Sequence, residues 1–160
     1  MAIVYRYVLK EFANDVLING IDASKDSDAD IQVNGSVIPC ILALLNPKDD
    51  EYKFNSNEYI GIKLDVSDDY CKIVDASEPK ENDEIFDYEK YKLGTFKNPT
   101  VLIASSISPE SISVLNKDID IPVLYNNSRD LYYSCRVSDM LDEMSPKEAY
   151  VVLKNYFSSL

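Results

Sequence analysis

The chain has 160 residues, of which 28 are acidic and 16 basic, giving a formal net charge of −12. This length corresponds to about one domain, with enough residues to bury a hydrophobic core. The negative charge repels nucleic-acid phosphates and anionic lipid headgroups, which argues against direct nucleic-acid binding and against membrane binding. Histidine is absent. We therefore predict no histidine-based catalytic group, and no catalytic residue of any other kind is identified.

The cysteine content and the N-terminal residues favour a cytoplasmic protein. The three cysteines, Cys40, Cys71 and Cys135, are widely spaced and odd in number. They form neither a complete disulfide framework nor a zinc motif, so we expect small buried side chains and no metal or cofactor. Residues 1–6 lack the pattern of a signal peptide. No apolar run approaches the roughly 20 residues that span a bilayer.

The first 45 residues contain the clearest local patterns. Residues 3–9 are rich in β-branched and aromatic side chains, which predicts a strand. Helical spacing of apolar residues follows over 10–19 and predicts the first helix. Asn34-Gly35 lies between two apolar runs and predicts a type I′ hairpin, because that turn needs positive φ at both central positions. For residues 40–45 the pattern leaves strand and helix open.

The middle of the chain alternates strands with a charged insertion. Residues 59–66 alternate apolar with polar side chains and predict a half-buried strand, with residues 70–74 as its hairpin partner. Residues 76–98 are charged and predict a long loop or a partly helical insertion. Residues 100–104 form a continuous apolar run, which is typical of a strand covered on both faces.

The last third of the chain predicts two more helices. Ser108-Pro109 begins a helix over 109–116, and Ser145-Pro146 begins another over 146–157. Residues 121–125 and 131–137 are predicted strands, so that 100–125 forms a β-α-β crossover. The whole chain, 1–160, is therefore predicted to be one acidic α+β domain. It has a mixed, mostly antiparallel sheet and about three helices, at 10–19, 109–116 and 146–157.

The acidity is concentrated between Asp65 and Glu89, a segment that contains ten acidic residues and only two basic ones, Lys72 and Lys80. Tyrosine and phenylalanine side chains lie among these acids, and aromatic side chains are enriched at protein interfaces. Acids steer a basic partner toward the surface and rings anchor it. The residues that we expect at such an interface are Asp68, Asp69, Tyr70, Asp83, Glu84, Phe86, Asp87, Tyr88, Glu89 and Tyr91.

This pattern favours a non-enzymatic binding or inhibitor protein that occludes the basic surface of a protein or protein complex. By analogy, small acidic proteins of this kind include immunity proteins and phage counter-defence proteins that mimic the charge of nucleic acid. A structural assembly subunit is a further alternative that the sequence leaves open, because it does not determine the oligomeric state.

Arg6 carries a second alternative, a small-ligand or enzymatic site. It is one of three arginines and lies between Tyr5 and Tyr7 in the first predicted strand. This opening, followed by the helical segment up to Gly20, resembles the start of some ADP-ribosyltransferase-type domains. The resemblance covers about 20 residues and implies a pocket in which Arg6 holds the phosphates of NAD or a related nucleotide. The family's Ser-Thr-Ser strand and Glu-x-Glu motif have no counterpart here.

Overall fold

The computed structural model describes residues 1–76 and 85–159, which form an α+β domain built on two antiparallel sheets. The strands are β1 (Ala2–Leu9), β2 (Ala29–Val33), β3 (Ser36–Ala43), β4 (Tyr59–Val66), β5 (Cys71–Asp75), β6 (Phe86–Asp87), β7 (Pro99–Ile103) and β8 (Ile112–Val114). The helices are α1 (Lys10–Asn19), α2 (Ala23–Asp26), α3 (Glu51–Asn55), α4 (Ser128–Asp142) and α5 (Pro146–Ser158). Four short 3₁₀ turns lie at Pro47–Asp49, Asp68–Tyr70, Tyr88–Lys90 and Pro109–Ser111.

The smaller sheet has the strand order β1-β4-β8. β1 and β4 pair over their full lengths, with Val4 opposite Leu64 and Arg6 opposite Ile62. Val4, Ile62 and Leu64 are fully buried, whereas Asp65 on the other face of β4 is exposed. The β-branched and aromatic content of residues 3–9 therefore predicted β1 correctly, and the alternation over residues 59–66 predicted β4 and its buried face.

The larger sheet has the strand order β2-β3-β7-β5-β6. Asn34 and Gly35 have φ values of 52° and 81° and connect β2 to β3, which confirms the predicted hairpin. The segment for which strand and helix were both open is a strand as far as Ala43. β7 is the central strand, and its residues Val101–Ile103 are buried, as expected for a continuous apolar run.

The predicted pairing of residues 59–66 with 70–74 is wrong, and so is the single mixed sheet. Every strand pair in the described residues is antiparallel. The 3₁₀ turn at Asp68–Tyr70 carries the chain out of the smaller sheet, and β5 then pairs with β7 and β6 of the larger one. Alternation determines which face of a strand is buried but does not specify its partner.

The predicted helix over 109–116 and the crossover that contained it are also wrong. Pro109–Ser111 is only a 3₁₀ turn, and β8 follows it immediately. Ile112 and Val114 are β-branched and pair with the free edge of β4, an interaction that outweighs the helix start at Ser108-Pro109. Residues 121–125 are irregular rather than a strand.

Three of the five helices in the described residues exceed seven residues, which fits the predicted number of helices but not all the predicted positions. α1 and α5 lie where the sequence placed them, and the Ser145 hydroxyl caps α5 by accepting from the Glu148 amide at 3.3 Å. α4 contains residues 131–137, which were predicted as a strand. The Asn127 side chain caps α4 by accepting from the Asp130 amide at 2.8 Å.

One hydrophobic core lies between the two sheets. The smaller sheet contributes Val4, Ile62 and Leu64, and the larger sheet contributes Ile41 and Ile103, all fully buried. Among the described residues, no helix has the length and apolar character required to cross a membrane. The core therefore fixes a scaffold whose turns and outer helices carry the remaining polar and aromatic side chains.

Candidate functional site

Two acidic turns that are almost twenty residues apart in sequence meet on one surface. β5 pairs with β6 through Lys72 opposite Asp87 and Ile73 opposite Phe86. The pairing brings the 3₁₀ turn before β5 next to the 3₁₀ turn after β6. We call the resulting shallow cleft, of about 250 Å³, the acidic cleft. Its lining residues are Asp68, Asp69, Lys72, Asp87, Glu89 and Lys90.

The two lysines of the acidic cleft neutralise one of its four carboxylates. Lys72 forms a short ion pair with Asp87, and Lys90 lies 3.8 Å from the same carboxylate. The hydrogen bond and the charge of Lys72 lower the pKa of Asp87. Among the described residues, neither Asp69 nor Glu89 forms an ion pair. These two exposed acids therefore present uncompensated negative charge to solvent.

Most of the aromatic side chains predicted as interface anchors pack inward. The rings of Phe86, Tyr91 and Phe96 form a cluster with centroid separations of 5.4 to 6.0 Å. Tyr88 and Tyr91 pack against the core, and the Tyr91 hydroxyl accepts from the Phe96 amide at 3.0 Å. Tyr70 differs, since half of its surface (51%) is exposed beside the acids.

Two further members of the predicted interface, Asp83 and Glu84, lie outside the described residues. The acidic cleft therefore brings together Asp68, Asp69, Asp87 and Glu89, and Tyr70 ends the turn that contributes Asp68 and Asp69 without itself lining the cleft. Asp68 itself is half-buried, and its Oδ1 lies 3.1 Å from the Met1 amino nitrogen. Asp69, Tyr70 and Glu89 are the exposed residues of the predicted set in this region.

Arg6 is held by an ion pair with Asp28. Its Nη1 donates to Asp28 Oδ2 at 2.6 Å and to the Leu42 carbonyl at 2.8 Å, and its Nη2 donates to Asp28 Oδ1 at 3.3 Å. The Leu42 amide donates to the same carboxylate at 3.0 Å. Burial alone would raise the pKa of Asp28, but the bonds from Arg6 and Leu42 outweigh it and lower that pKa.

Two cavities, of about 420 and 310 Å³, lie beside Arg6, and Arg6 and Tyr7 line part of each. The Tyr7 hydroxyl donates to the Pro47 carbonyl at 2.5 Å, and its burial raises the pKa of Tyr7. The Tyr5 hydroxyl lies 3.5 Å from the Asp120 carbonyl. A phosphate bound by Arg6 would have to replace Asp28, since that carboxylate already occupies the guanidinium.

A polar junction that sequence reasoning missed lies under the start of α4. Asn46 is fully buried and forms a capping box with Asp49 around Pro47. Both Asp49 oxygens also accept from Ser128, one from its amide and one from its hydroxyl, each at 2.7 Å. Burial raises the pKa of Asp49, although these bonds oppose the rise. Asn46-Pro47 is visible in the sequence as a turn start, but its contact with Ser128 is not.

The cysteines do not form a reactive or metal-binding site in the described part of the chain. All three are free thiols, and Cys40 and Cys71 are buried. Burial raises the pKa of Cys71 to about 11, so this thiol is protonated at neutral pH. Over residues 1–76 and 85–159, no group of three or more Cys, Asp or Glu side chains is arranged to hold a metal ion.

Replacing Arg6 by Met should destabilise the fold by about 1–2 kcal/mol at pH 7, because Asp28 loses a half-buried, hydrogen-bonded partner. The pKa of Asp28 is lowered in the fold, so this contribution is present at neutral pH. It declines as the pH falls below the ordinary value of 3.8 and Asp28 is protonated. Urea unfolding of wild type and Arg6→Met at pH 7 and near pH 2.5 measures both quantities.

Arg136→Met is the matched control, because Arg136 pairs with Asp139 on an exposed helix face. We expect it to change the free energy of unfolding by less than about 0.5 kcal/mol. An equal loss in both variants, or a loss in Arg6→Met that persists unchanged at low pH, would show that the Arg6–Asp28 pair does not stabilise the fold in this way.

Comparisons with known proteins do not add to this set of features. No protein-family model matches the chain, and neither a curated protein nor a solved structure is significantly similar to it. The features that the chain itself offers are the acidic cleft, the paired Arg6 with its two cavities, and the polar junction under α4.

Proposed function

We propose that this protein binds a basic protein surface through the acidic cleft, with Tyr70 as the exposed aromatic anchor. The observation that carries the proposal is the pairing of β5 with β6, which brings two acidic turns together and leaves Asp69 and Glu89 without a cationic partner in the described residues. Unpaired carboxylates attract cationic side chains, and an exposed ring in the same turn gives a partner a contact surface.

The net charge of the whole chain also favours a basic partner. A net charge of −12 raises the rate of association with a basic partner and lowers it with nucleic acid or another acidic protein. Binding of this kind blocks a positively charged groove by occupying it, and it requires no chemical step. The inhibitor role, including mimicry of nucleic-acid charge, is a more specific version of the same proposal.

The alternative of a nucleotide site at Arg6 has weaker support. Both Nη atoms of Arg6 donate to the Asp28 carboxylate, and Nη1 also donates to the Leu42 carbonyl. This arrangement resembles a structural ion pair between β1 and the segment before β2 more than an open phosphate site. An NAD-type ligand would have to compensate for the lost ion pair before it gained affinity.

The test of the acidic cleft is affinity capture from the native source with a triple variant. Asp69→Asn, Tyr70→Ala and Glu89→Gln together should reduce binding of the captured basic protein by at least about tenfold. Binding by wild type should weaken steeply between about 50 and 300 mM salt, because the association is electrostatic. Biolayer interferometry with the purified partner measures the affinities and the association rates.

The matched control removes two carboxylates and one tyrosine ring outside the acidic cleft. Its substitutions are Glu110→Gln, Asp118→Asn and Tyr52→Ala, all at exposed positions. This variant has the same net charge as the cleft variant and lacks the same kind of ring. Equal loss of binding in both variants would assign the effect to overall charge. A captured partner that is acidic, or binding that ignores salt, would contradict the proposal.

The C-terminal helices favour a second candidate, assembly with further copies of this chain. α5 has no buried residue: Ala149, Val152 and Leu153 are half-buried. Tyr150, Val151, Tyr156 and Phe157 are 51–65% exposed. On α4, Tyr133, Val137 and Met140 are also exposed at helical spacing. A helix of 13 residues is marginal in water unless its apolar face is covered, so a contact outside the described chain is expected.

A second copy of the chain fits the exposed face of α4 and α5, because the net charge of this segment is close to zero. Residues 128–160 contain five acids and four bases, whereas residues 1–127 contain 23 acids and 12 bases. Two acidic bodies repel each other least where they meet through their nearly neutral helices. Apolar and aromatic surface supplies the driving force for such an isologous contact.

Light scattering on a size-exclusion column tests this candidate. Wild type should have at least twice the monomer mass, and Tyr156→Ser with Phe157→Ser should reduce it to the monomer. The control pair Tyr52→Ser and Tyr70→Ser removes two exposed rings elsewhere and should leave the mass unchanged. A wild-type protein that stays monomeric up to the order of 1 mM would reject self-assembly through α5.

A further inference from the structure

The cavity beside the polar junction of α4 combines three cationic side chains in an otherwise acidic protein. It measures about 520 Å³, and Lys48, Lys97 and Arg129 all line it. From its geometry we infer that this cavity binds a small anion, a phosphate ester or a carboxylate, through Lys97 and Arg129. The site is separate from the acidic cleft, with which it shares no lining residue.

Lys97 and Arg129 have no carboxylate partner among the described residues. Their shared neighbour is Tyr133, whose ring centroid lies 5.5 Å from Lys97 Nζ. Hydrogen bonding from Lys97, and then from Arg129, lowers the pKa of Tyr133. Lys97 and Arg129 therefore share Tyr133 as a neighbour, and both side chains also line the cavity.

The acids that line the same cavity are bonded to neutral donors instead. Asp49 accepts from the Ser128 amide and hydroxyl. Glu51 Oε1 accepts from Asn127 Nδ2 at 3.0 Å, and Asp130 Oδ2 accepts from Asn126 Nδ2 at 3.1 Å. Neutral amide and hydroxyl groups, rather than the cations, are the hydrogen-bond partners of these carboxylates. None of the three cationic groups in the cavity therefore forms an ion pair within the described residues.

The third cation has a different role. Lys48 Nζ donates to Asn126 Oδ1 at 3.2 Å and lies 5.6 Å from the centroid of the Phe54 ring. A neutral amide oxygen and a ring leave its positive charge uncompensated, so it adds to the attraction for an anion without being the primary contact.

The chemistry of the two primary groups defines the class of ligand. A guanidinium presents paired donors that match the oxygens of a phosphate or carboxylate, and an ammonium adds a compact charge. Asn98 and Thr100, which are close to Lys97 in sequence, also line the cavity and supply neutral polar groups. The volume lies within the roughly 300–1,000 Å³ of small-molecule pockets, which leaves room for the body of a small metabolite behind its anionic group.

The experiment is a titration of ¹⁵N-labelled protein with inorganic phosphate and, separately, with succinate, at constant ionic strength held with sodium chloride. Saturable shifts are expected at the amides of residues 97–100 and 127–130. Arg129→Gln and Lys97→Gln should each weaken the binding by about tenfold or more. Far-UV circular dichroism and the melting temperature establish that each variant is folded.

Arg136→Gln is the matched control, because Arg136 lies on the same helix, two turns beyond Arg129, and does not line the cavity. It should leave the affinity within about twofold of wild type. Binding of phosphate alone assigns a phosphate ester, and binding of succinate with the same dependence on Arg129 assigns a carboxylate. No saturable shift with either anion, or an equal loss in Arg136→Gln, overturns the inference.

Discussion

Two backbone hydrogen bonds between Tyr5 and Leu44 join the two sheets, next to both the Arg6–Asp28 pair and the chain that leads into the junction under α4. The Tyr5 amide donates to the Leu44 carbonyl at 2.9 Å, and the Leu44 amide donates to the Tyr5 carbonyl at 2.7 Å. Tyr5 lies within β1 of the smaller sheet, and Leu44 directly follows β3 of the larger sheet. The contact therefore sets Arg6 beside Asp28 and directs the chain after Leu44 into the junction that supports α4.

This arrangement separates three chemically different surfaces on a small domain. The end of the larger sheet at β5 and β6 carries the acidic cleft. The junction under α4 carries a cavity in which cations lack counter-ions, and α5 carries exposed apolar side chains on a nearly neutral segment. In an acidic body, a cavity with three cationic side chains and three carboxylates favours a small anion more than the rest of the surface does, if its carboxylates stay bonded to neutral donors.

Local patterns in the sequence predict secondary structure correctly where residues of the same element determine it. The alternation in β4, the Asn34-Gly35 turn and the cap at Ser145 each depend on residues within one element. The partner of β5 and the strand at 112–114 were missed, because both depend on a free sheet edge supplied by distant residues. The same dependence on distant residues determines which parts of the candidate sites the sequence could predict. The concentration of acids was visible in the sequence, whereas the pairing of Arg6 with Asp28 and the cavity at Lys97 arise only from tertiary contacts.

Hydrogen exchange at the amides of Tyr5 and Leu44 tests the junction of the sheets most directly. Both amides donate across the junction, so their protection reports whether the two sheets open together. We predict protection free energies within about 1 kcal/mol of that of the Ile103 amide in the central strand β7, which marks global unfolding. Exchange at Tyr5 and Leu44 that is about a hundredfold faster than at Ile103 would show that the sheets separate independently, and would contradict a single cooperative unit of two joined sheets.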